Sequence, residues 1–240
     1  MDSQREFLTQ RYQKLWDGAI DRFRQGDVVI DQRLASGDAD RRRSLTLLAR
    51  PSAECRAAIN RFLERLREID PAQYYYDPSE FHVTVLSLFT ATEDYARLLV
   101  RSEDYFAAVL AAMAGIPSFA IEFTGVTLSP EAIMVQGYPG DTTLNELRER
   151  LRQELRARNL TEGLDARYIL QTAHITCVRI KSKLRDSGPY TETIEGFRTH
   201  PFGRTEVKEL NLVRNDWYMS SAAVEILKRY LLAARSDSTA

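Results

Sequence analysis

EFHVTVLSL, residues 80–88, sets His82 in an apolar run of β type with Thr84 two positions on. The chain has three histidines, and the arrangement occurs a second time. AHITCVRI, residues 173–180, repeats it with His174 and Thr176. In a strand, side chains two apart share a face. His82 and Thr84 therefore point one way, and Val83 and Val85 the other. His174 and Thr176 stand against Ile175 and Cys177 in the same manner. Each motif presents an imidazole beside a hydroxyl, backed by an apolar face that can pack on helices. Threonine is common in strands for its shape alone, so a single pair would be an ordinary strand histidine. Threonine fills 17 of 240 positions, however. Chance puts it at +2 from two of three histidines with a probability of roughly 1–2%. The third histidine, His200, has Phe202 at +2 and reads as a surface or loop residue.

The flanks of the two motifs match. Before the first come a strand over 44–50 (SLTLLAR) and a helix over 52–69, whose buried stripe is Cys55, Ile59, Phe62, Leu63, Leu66 and Ile69. The motif strand covers 81–89, a helix 94–114, and a further strand 118–129 with Gly125 at a bend or bulge. Before the second come a strand over 131–138 and a helix over 141–159, with Leu144, Leu147, Leu151 and Leu155 inward. The motif strand lies within 168–180, and a short helix within 186–198. Segments 204–216 and 222–232 complete the chain, the last leaning to strand. This is the layout of a duplication. The expected fold is α+β, with two lobes built from antiparallel-rich sheets flanked by helices, and a central cleft carrying both His-x-Thr motifs. One amphipathic helix is expected over 5–25, with Leu8, Tyr12, Leu15, Trp16, Ala19, Ile20 and Phe23 on one apolar stripe, stopped by Gly26. The expected division is an N-terminal helical extension, 1–43, and a single two-lobed domain, 44–240.

Two lobes facing each other would set two imidazoles and two hydroxyls around one small volume. That set suits phosphodiester chemistry. A neutral histidine takes a proton from the attacking oxygen, and a protonated one gives a proton to the leaving oxygen. Threonine hydroxyls donate to the non-bridging oxygens, where charge builds. No carboxylate sits within either motif to complete a metal site, so no metal and no cofactor are expected.

Paired His-hydrophobic-Thr-hydrophobic motifs on duplicated strands resemble the two-histidine (2H) phosphoesterase superfamily, which includes bacterial RNA 2′,5′-ligase-like proteins and cyclic nucleotide phosphodiesterases. The resemblance spans about residues 44–232. It implies that His82, Thr84, His174 and Thr176 are the catalytic four. It also implies that Arg179, three residues after Thr176 as in ligase-like members, binds the substrate phosphate. Simple alternation puts Arg179 on the face away from His174, so it reaches the phosphate only if the strand bends or ends there. Among Tyr74, Tyr75 and Tyr76, Tyr76 is taken as a substrate contact that could stack a base; packing at a lobe edge is the plainer role.

The implied activity is metal-independent hydrolysis of a 2′,3′-cyclic phosphate or a 2′–5′ linkage in a nucleotide or RNA terminus, with ligation as the reverse. The alternative is a non-catalytic protein that clamps RNA ends or nucleotides in the same cleft. A formal net charge of −1 announces neither a nucleic-acid coat nor a membrane partner. Two cysteines, Cys55 and Cys177, are too few for a disulfide framework. Cys177 reads as a small buried residue. No apolar run is long enough to span a bilayer, and MDSQREFLTQ lacks the order of a signal peptide; the expected location is the cytoplasm. Arg41, Arg42 and Arg43 read as a solvated run, and QGYPGD (136–141), which lacks the lysine of a phosphate loop, as a turn.

Overall fold

Leu45, Leu47, Leu48 and Ala49 are all buried in the first strand, β1 (Arg43–Ala49). It leads into helix α4 (Ala53–Ile69), capped by the Ser52 hydroxyl, which accepts from the Cys55 amide, one of the orphan donors of a helix start. The computed structural model describes residues 2–235; residues 1 and 236–240, at the outer ends of the expected division of the chain, lie outside the described residues. Before β1 come α1 (Asp2–Asp17), α2 (Ile20–Gln25) and α3 (Gln32–Ser36). After α4 come β2 (Tyr74–Tyr75), β3 (Val83–Thr92), α5 (Tyr95–Leu99), α6 (Ser102–Met113), β4 (Phe119–Ser129) and β5 (Ala132–Pro139). The rest are α7 (Thr143–Ala157), β6 (Ile175–Arg179), α8 (Ser187–Gly196), β7 (Pro201–Val207), β8 (Glu209–Asn215) and β9 (Glu225–Leu231).

Two antiparallel sheets result, in the orders β3-β1-β8-β9 and β2-β6-β5-β4-β7. The first carries Thr84 on β3 and the second carries Thr176 on β6; His82 and His174 each stand one residue before the strand rather than inside it as expected. In each, a strand–helix–strand unit (β1–α4–β3 or β5–α7–β6) pairs its two strands directly. The fold is therefore the mixed, two-sheet architecture expected from the duplicated motifs. The two sheets are not simply the two halves of the chain, however. β4, from the first half, lies in the second sheet, and β8 and β9, from the second half, complete the first. The helices cross as well: α4 packs on β6, β7 and α8, whereas α7 packs on β3 and α6. This interlocking lets both sheets share one main apolar cluster.

Two expected long helices are broken. The segment 5–25 splits into α1 and α2 at Gly18, a weak helix residue, and the turn carries Ile20 and Phe23 into the core. Leu15, expected on the buried stripe, faces the cleft instead. The segment 94–114 splits into α5 and α6 around Val100 and Arg101. The break lets the Arg101 guanidinium donate to the carbonyls of Arg158 (2.9 Å) and Asn159 (3.1 Å) at the end of α7, which lack helical partners. Gly26 ends α2 at φ 71°, and Gly125 sits at φ 76° where β4 shifts register. Both match expectation. In QGYPGD only the end is a turn, because Gln136, Gly137 and Tyr138 lie within β5.

Gly137 is required there by close approach. A Cβ at this position would stand 2.0 Å from the Ala173 carbonyl oxygen. Tyr12 of α1 fastens the same spot. Its hydroxyl donates to the Gly137 carbonyl at 3.0 Å and accepts from the amides of Gly137 and Ala173 at 3.2 Å each. The N-terminal helix, β5 and the residue before His174 thus meet at one point. Gly137→Ala is expected to lower stability by about 1–3 kcal/mol, as overpacking does. A thermal melt checks it, and an unchanged melting temperature would contradict the close approach.

Candidate functional site

A bulge follows each motif. Leu48 and Leu47 of β1 pair with Thr84 and Leu86, so Val85 is an extra residue in β3. Met134 and Ile133 of β5 pair with Thr176 and Val178, so Cys177 is extra in β6. A bulge puts two residues against one and resets the alternation beyond it. Val85 and Leu86 both enter the core, as do Cys177 and Val178. Ser87 and Arg179, the next residues, return to the threonine face. This is why Arg179 reaches the cleft although simple alternation sends it to the far side. It also makes Ser87 the positional counterpart of Arg179.

Between the sheets lies a cleft of ≈ 690 Å³ whose lining includes His82, Thr84, His174, Thr176, Arg179 and Tyr76. All six residues selected from the sequence thus share one cavity. Tyr76 is buried, and its hydroxyl accepts from Arg179 Nε at 3.1 Å. The Arg179 guanidinium also lies 5.4 Å from the centre of the Trp217 ring, over which a cation is favoured. Tyr76 therefore holds Arg179 in place rather than offering a free face for stacking. Among the described residues, neither the Thr84 nor the Thr176 hydroxyl has a protein partner. His200 lies outside the cleft, exposed and packed on Phe197 and Phe202. Cys177 is buried, its thiol donating to the Ile133 carbonyl, and burial pushes that thiol well above its ordinary value. Of the arginine triplet, Arg41 is exposed, while Arg42 pairs with Asp40 and Arg43 donates to the Asp40 carbonyl.

Each imidazole is anchored by the residue two before it. His82 Nδ1–H donates to the Glu80 carbonyl at 2.8 Å, because a carbonyl can only accept. His174 Nδ1 lies 2.8 Å from the Thr172 hydroxyl, which can donate or accept. Both arrangements leave Nε2 for a ligand. The turn before His82 is held in its turn by the buried Glu80 carboxylate, which accepts from the amides of Asp77 and Ser221.

Burial in the cleft floor pushes both histidines down from the ordinary value, each to about 4. For His82 desolvation is the main cause; the Glu80 carbonyl opposes it, while Arg50 and Arg179 add to it. For His174 desolvation leads again, and His82, Arg148 and Arg179 all push the same way. In the free protein near neutral pH both imidazoles are therefore uncharged.

Arg148 of α7 ties the two motifs together. It is 1% exposed. Its Nε donates to the Val85 carbonyl at 2.8 Å, and its Nη2 to the carbonyls of Thr84 at 2.9 Å and Thr172 at 2.7 Å. One guanidinium thus serves the bulge after the first motif and the approach to the second. Its neighbour Arg152 pairs with Asp165 and Glu149, fixing the loop between α7 and β6. The sequence reading missed both arginines as well as Thr172, Glu80 and Trp217. A signal was present for the arginines. Arg148 and Arg152 fall on the leucine stripe of α7, four after Leu144 and one after Leu151, where a solvated residue has no place. Among the described residues no group of three histidine, cysteine or carboxylate side chains is arranged to hold a metal ion. No helix there is long and apolar enough to cross a membrane.

The geometry sets the expected titration. With three histidines in the chain, two imidazole NMR signals should titrate near pH 4, and inorganic phosphate should move both upward. Because those values lie below the ordinary ~6.5, the unfolded chain binds more protons between the two. Stability should accordingly fall as pH drops from about 6.5 to about 4; ordinary titration of His82 and His174 would contradict their burial. Arg148→Met should cost on the order of 3 kcal/mol, since three carbonyls lose a charged donor, and should raise the His174 titration by removing a nearby cation. A variant with unchanged melting temperature and His174 titration would contradict the tie.

Comparison with known proteins points to the same region. A family model described as the 2′-5′ RNA ligase superfamily matches residues 53–217, which include both motifs and Arg179. No curated protein matches the chain in sequence. Among solved structures, TT0787 of Thermus thermophilus superposes with a TM-score of 0.57 at 18% identity, covering 80% of this chain and 100% of that one. A structure described as a phosphoesterase gives 0.54 at 16% identity, with coverages of 80% and 99%. LigT of E. coli, complexed with 3′-AMP, gives 0.53 at 18% identity, also with coverages of 80% and 99%. At these identities the likeness is one of fold.

Proposed function

The chain belongs to the 2′-5′ RNA ligase superfamily, and from that membership we propose that it is a metal-independent phosphodiesterase acting on a 2′,3′-cyclic phosphate or a 2′–5′ linkage of a nucleotide or RNA terminus. One observation carries the proposal. Two imidazoles, each held through Nδ1, line one cleft with the Arg179 cation and two threonine hydroxyls that have no partner among the described residues. His82, Thr84, His174 and Thr176 are the proposed catalytic set, Arg179 the phosphate-binding cation, and Tyr76 its support. The proposed unit is 44–240, with 1–43 an added helical wall. Nucleotides in the complexes of E. coli LigT, with 3′-AMP and with ATP, agree with a nucleotide substrate.

Asymmetry between the anchors supports an assignment of roles. A carbonyl on Nδ1 favours an imidazolium, so His82 is the proposed acid in hydrolysis. His174 has only cations and the other imidazole against it, so it stays neutral and is the proposed base. It takes a proton from water as the water oxygen bonds to phosphorus. The bond from phosphorus to the ribose oxygen breaks, and His82 gives that oxygen a proton. Solvent then restores both protonation states. Thr84, Thr176 and Arg179 bind the non-bridging oxygens, where negative charge develops. The substrate itself supplies a missing element: its negative phosphate raises the depressed histidines and so allows one of them to be charged.

Turnover of 2′,3′-cyclic nucleotides and 2′–5′ dinucleotides with a chelator present tests the function. Activity is expected to survive. His82→Ala and His174→Ala should each lower kcat by about 10²–10⁴-fold in folded protein; normal turnover in a folded His174→Ala variant would end the two-histidine mechanism. The bell of kcat against pH should also lie at higher pH than that of kcat/KM, because the first reports the phosphate-bound enzyme and the second the free one. Coincident profiles would deny that the phosphate tunes the pair. Substrate binding without any turnover would support a phosphate clamp instead.

A further inference from the structure

Helix α1 has two working faces. Leu8, Tyr12 and Trp16 are buried against the second sheet. Arg11, Lys14 and Leu15 are exposed, yet they line the same cleft as the two histidines. The family match begins at residue 53, so this wall precedes the part of the chain it covers. The wall is held firmly. The Tyr12 hydroxyl is bonded to Gly137 and to Ala173, next to His174, and the Thr127 hydroxyl donates to the Tyr12 carbonyl at 2.8 Å.

The charges along the cleft are unevenly satisfied. Its lining carboxylates are already engaged: Glu131 lies 3.8 Å from Arg179, Asp165 pairs with Arg152 at 2.7 Å, and Asp216 accepts from Ser220. Among the described residues Arg11 and Lys14 have no carboxylate within 4.0 Å, and neither has Arg167 on the loop between α7 and β6. Beside Arg167, Tyr168 and Ile169 are 61% and 63% exposed at the cleft wall. Cations without carboxylate partners, two of them over rings (Arg11 at 5.3 Å from the Phe7 centre, Arg167 at 4.3 Å from the Trp217 centre), stand with exposed Tyr168 and Ile169 along the cleft that holds both histidines and match the alternating charge and ring faces of a single nucleic-acid strand.

We propose that α1, together with the Arg167–Ile169 loop, is a strand-holding wall. Arg11 and Lys14 contact phosphates next to the reacting one, Tyr168 meets a base, and the preferred substrate is a single-stranded RNA extending beyond the reacting linkage. Arg11 and Lys14 are three apart, so their side chains rise from neighbouring positions on one helix face and follow a chain rather than grip one group. The proposal rests on the phosphodiesterase reading for the identity of the reacting end, but its binding slopes are read independently of turnover.

The probes are a short 5′-fluorescent RNA ending in a 2′,3′-cyclic phosphate and the corresponding cyclic mononucleotide. Affinity for the RNA is measured by anisotropy over a salt series, and kcat/KM is measured for both. Each of Arg11→Gln and Lys14→Gln should flatten the slope of log affinity against log salt by about 0.7, the share of one phosphate contact on a single strand. The double variant should lower the RNA-to-mononucleotide ratio of kcat/KM about tenfold. Arg61→Gln on α4 removes equal charge away from the cleft and should leave the slope alone. A slope unmoved by either helix variant, or moved equally by Arg61→Gln, overturns the wall. Altered slopes in a protein that turns over neither probe would uphold the wall and defeat the phosphodiesterase reading; turnover with unmoved slopes would do the reverse.

Discussion

The Arg148 guanidinium is the interaction on which the site depends. A β-bulge frees backbone groups from the ladder, and a buried free carbonyl is costly. The bulge after the first motif therefore needs a donor, and α7 brings one from the unit that carries the second motif. By bonding to Thr84, Val85 and Thr172 at once, Arg148 sets the strand that follows His82 and the approach to His174 against a single planar group. The relation between the two imidazoles then follows from one rigid fork rather than from the flexing of two sheets. The same charge helps push His174 below its ordinary value.

The duplication is deeper than the two motifs, and its departures are as informative as its matches. Both units carry the bulge after the threonine, and both anchor the imidazole from two residues upstream. The chemistry at equivalent positions differs. A carbonyl holds His82 where a hydroxyl faces His174, and a serine, Ser87, stands where the other unit has Arg179. One motif strand pairs with β1, which turns Ser44 and Thr46 to the cleft; the other pairs with β5, which turns Ala132 and Met134 there. A symmetric cleft would bind a phosphate without distinguishing the entering oxygen from the leaving one. Under the proposed mechanism, these differences give it direction.

Much of this was legible in the sequence because it is governed by local periodicity. Two-residue alternation identified the motif faces, and the leucine stripes of α4 and α7 gave the helices that back them. What was not legible came from contacts distant in the chain. The bulges that bring Ser87 and Arg179 to the cleft depend on partner strands, so alternation alone points Arg179 to the far face. The breaks at Gly18 and at Val100–Arg101 answer to core packing and to the end of α7. The exchange of β4 and β8 between the sheets is a matter of topology, which repeat spacing does not encode. Arg148 and Arg152 looked like surface charge because most arginines in such a helix are; only their place on the apolar stripe marked them. Tyr12 reads as one more apolar position of the stripe, and only the fold sets its hydroxyl against Gly137 and Ala173.

Coupling between the two histidines is the central claim, and a double-mutant cycle measures it directly. Turnover of one cyclic phosphodiester is determined for His82→Ala, His174→Ala and the double variant, each confirmed folded by melting temperature. Groups that act as one acid–base unit are non-additive, so the double variant should be about as slow as the slower single one. Losses that multiply would show two independent contributions and contradict the paired mechanism.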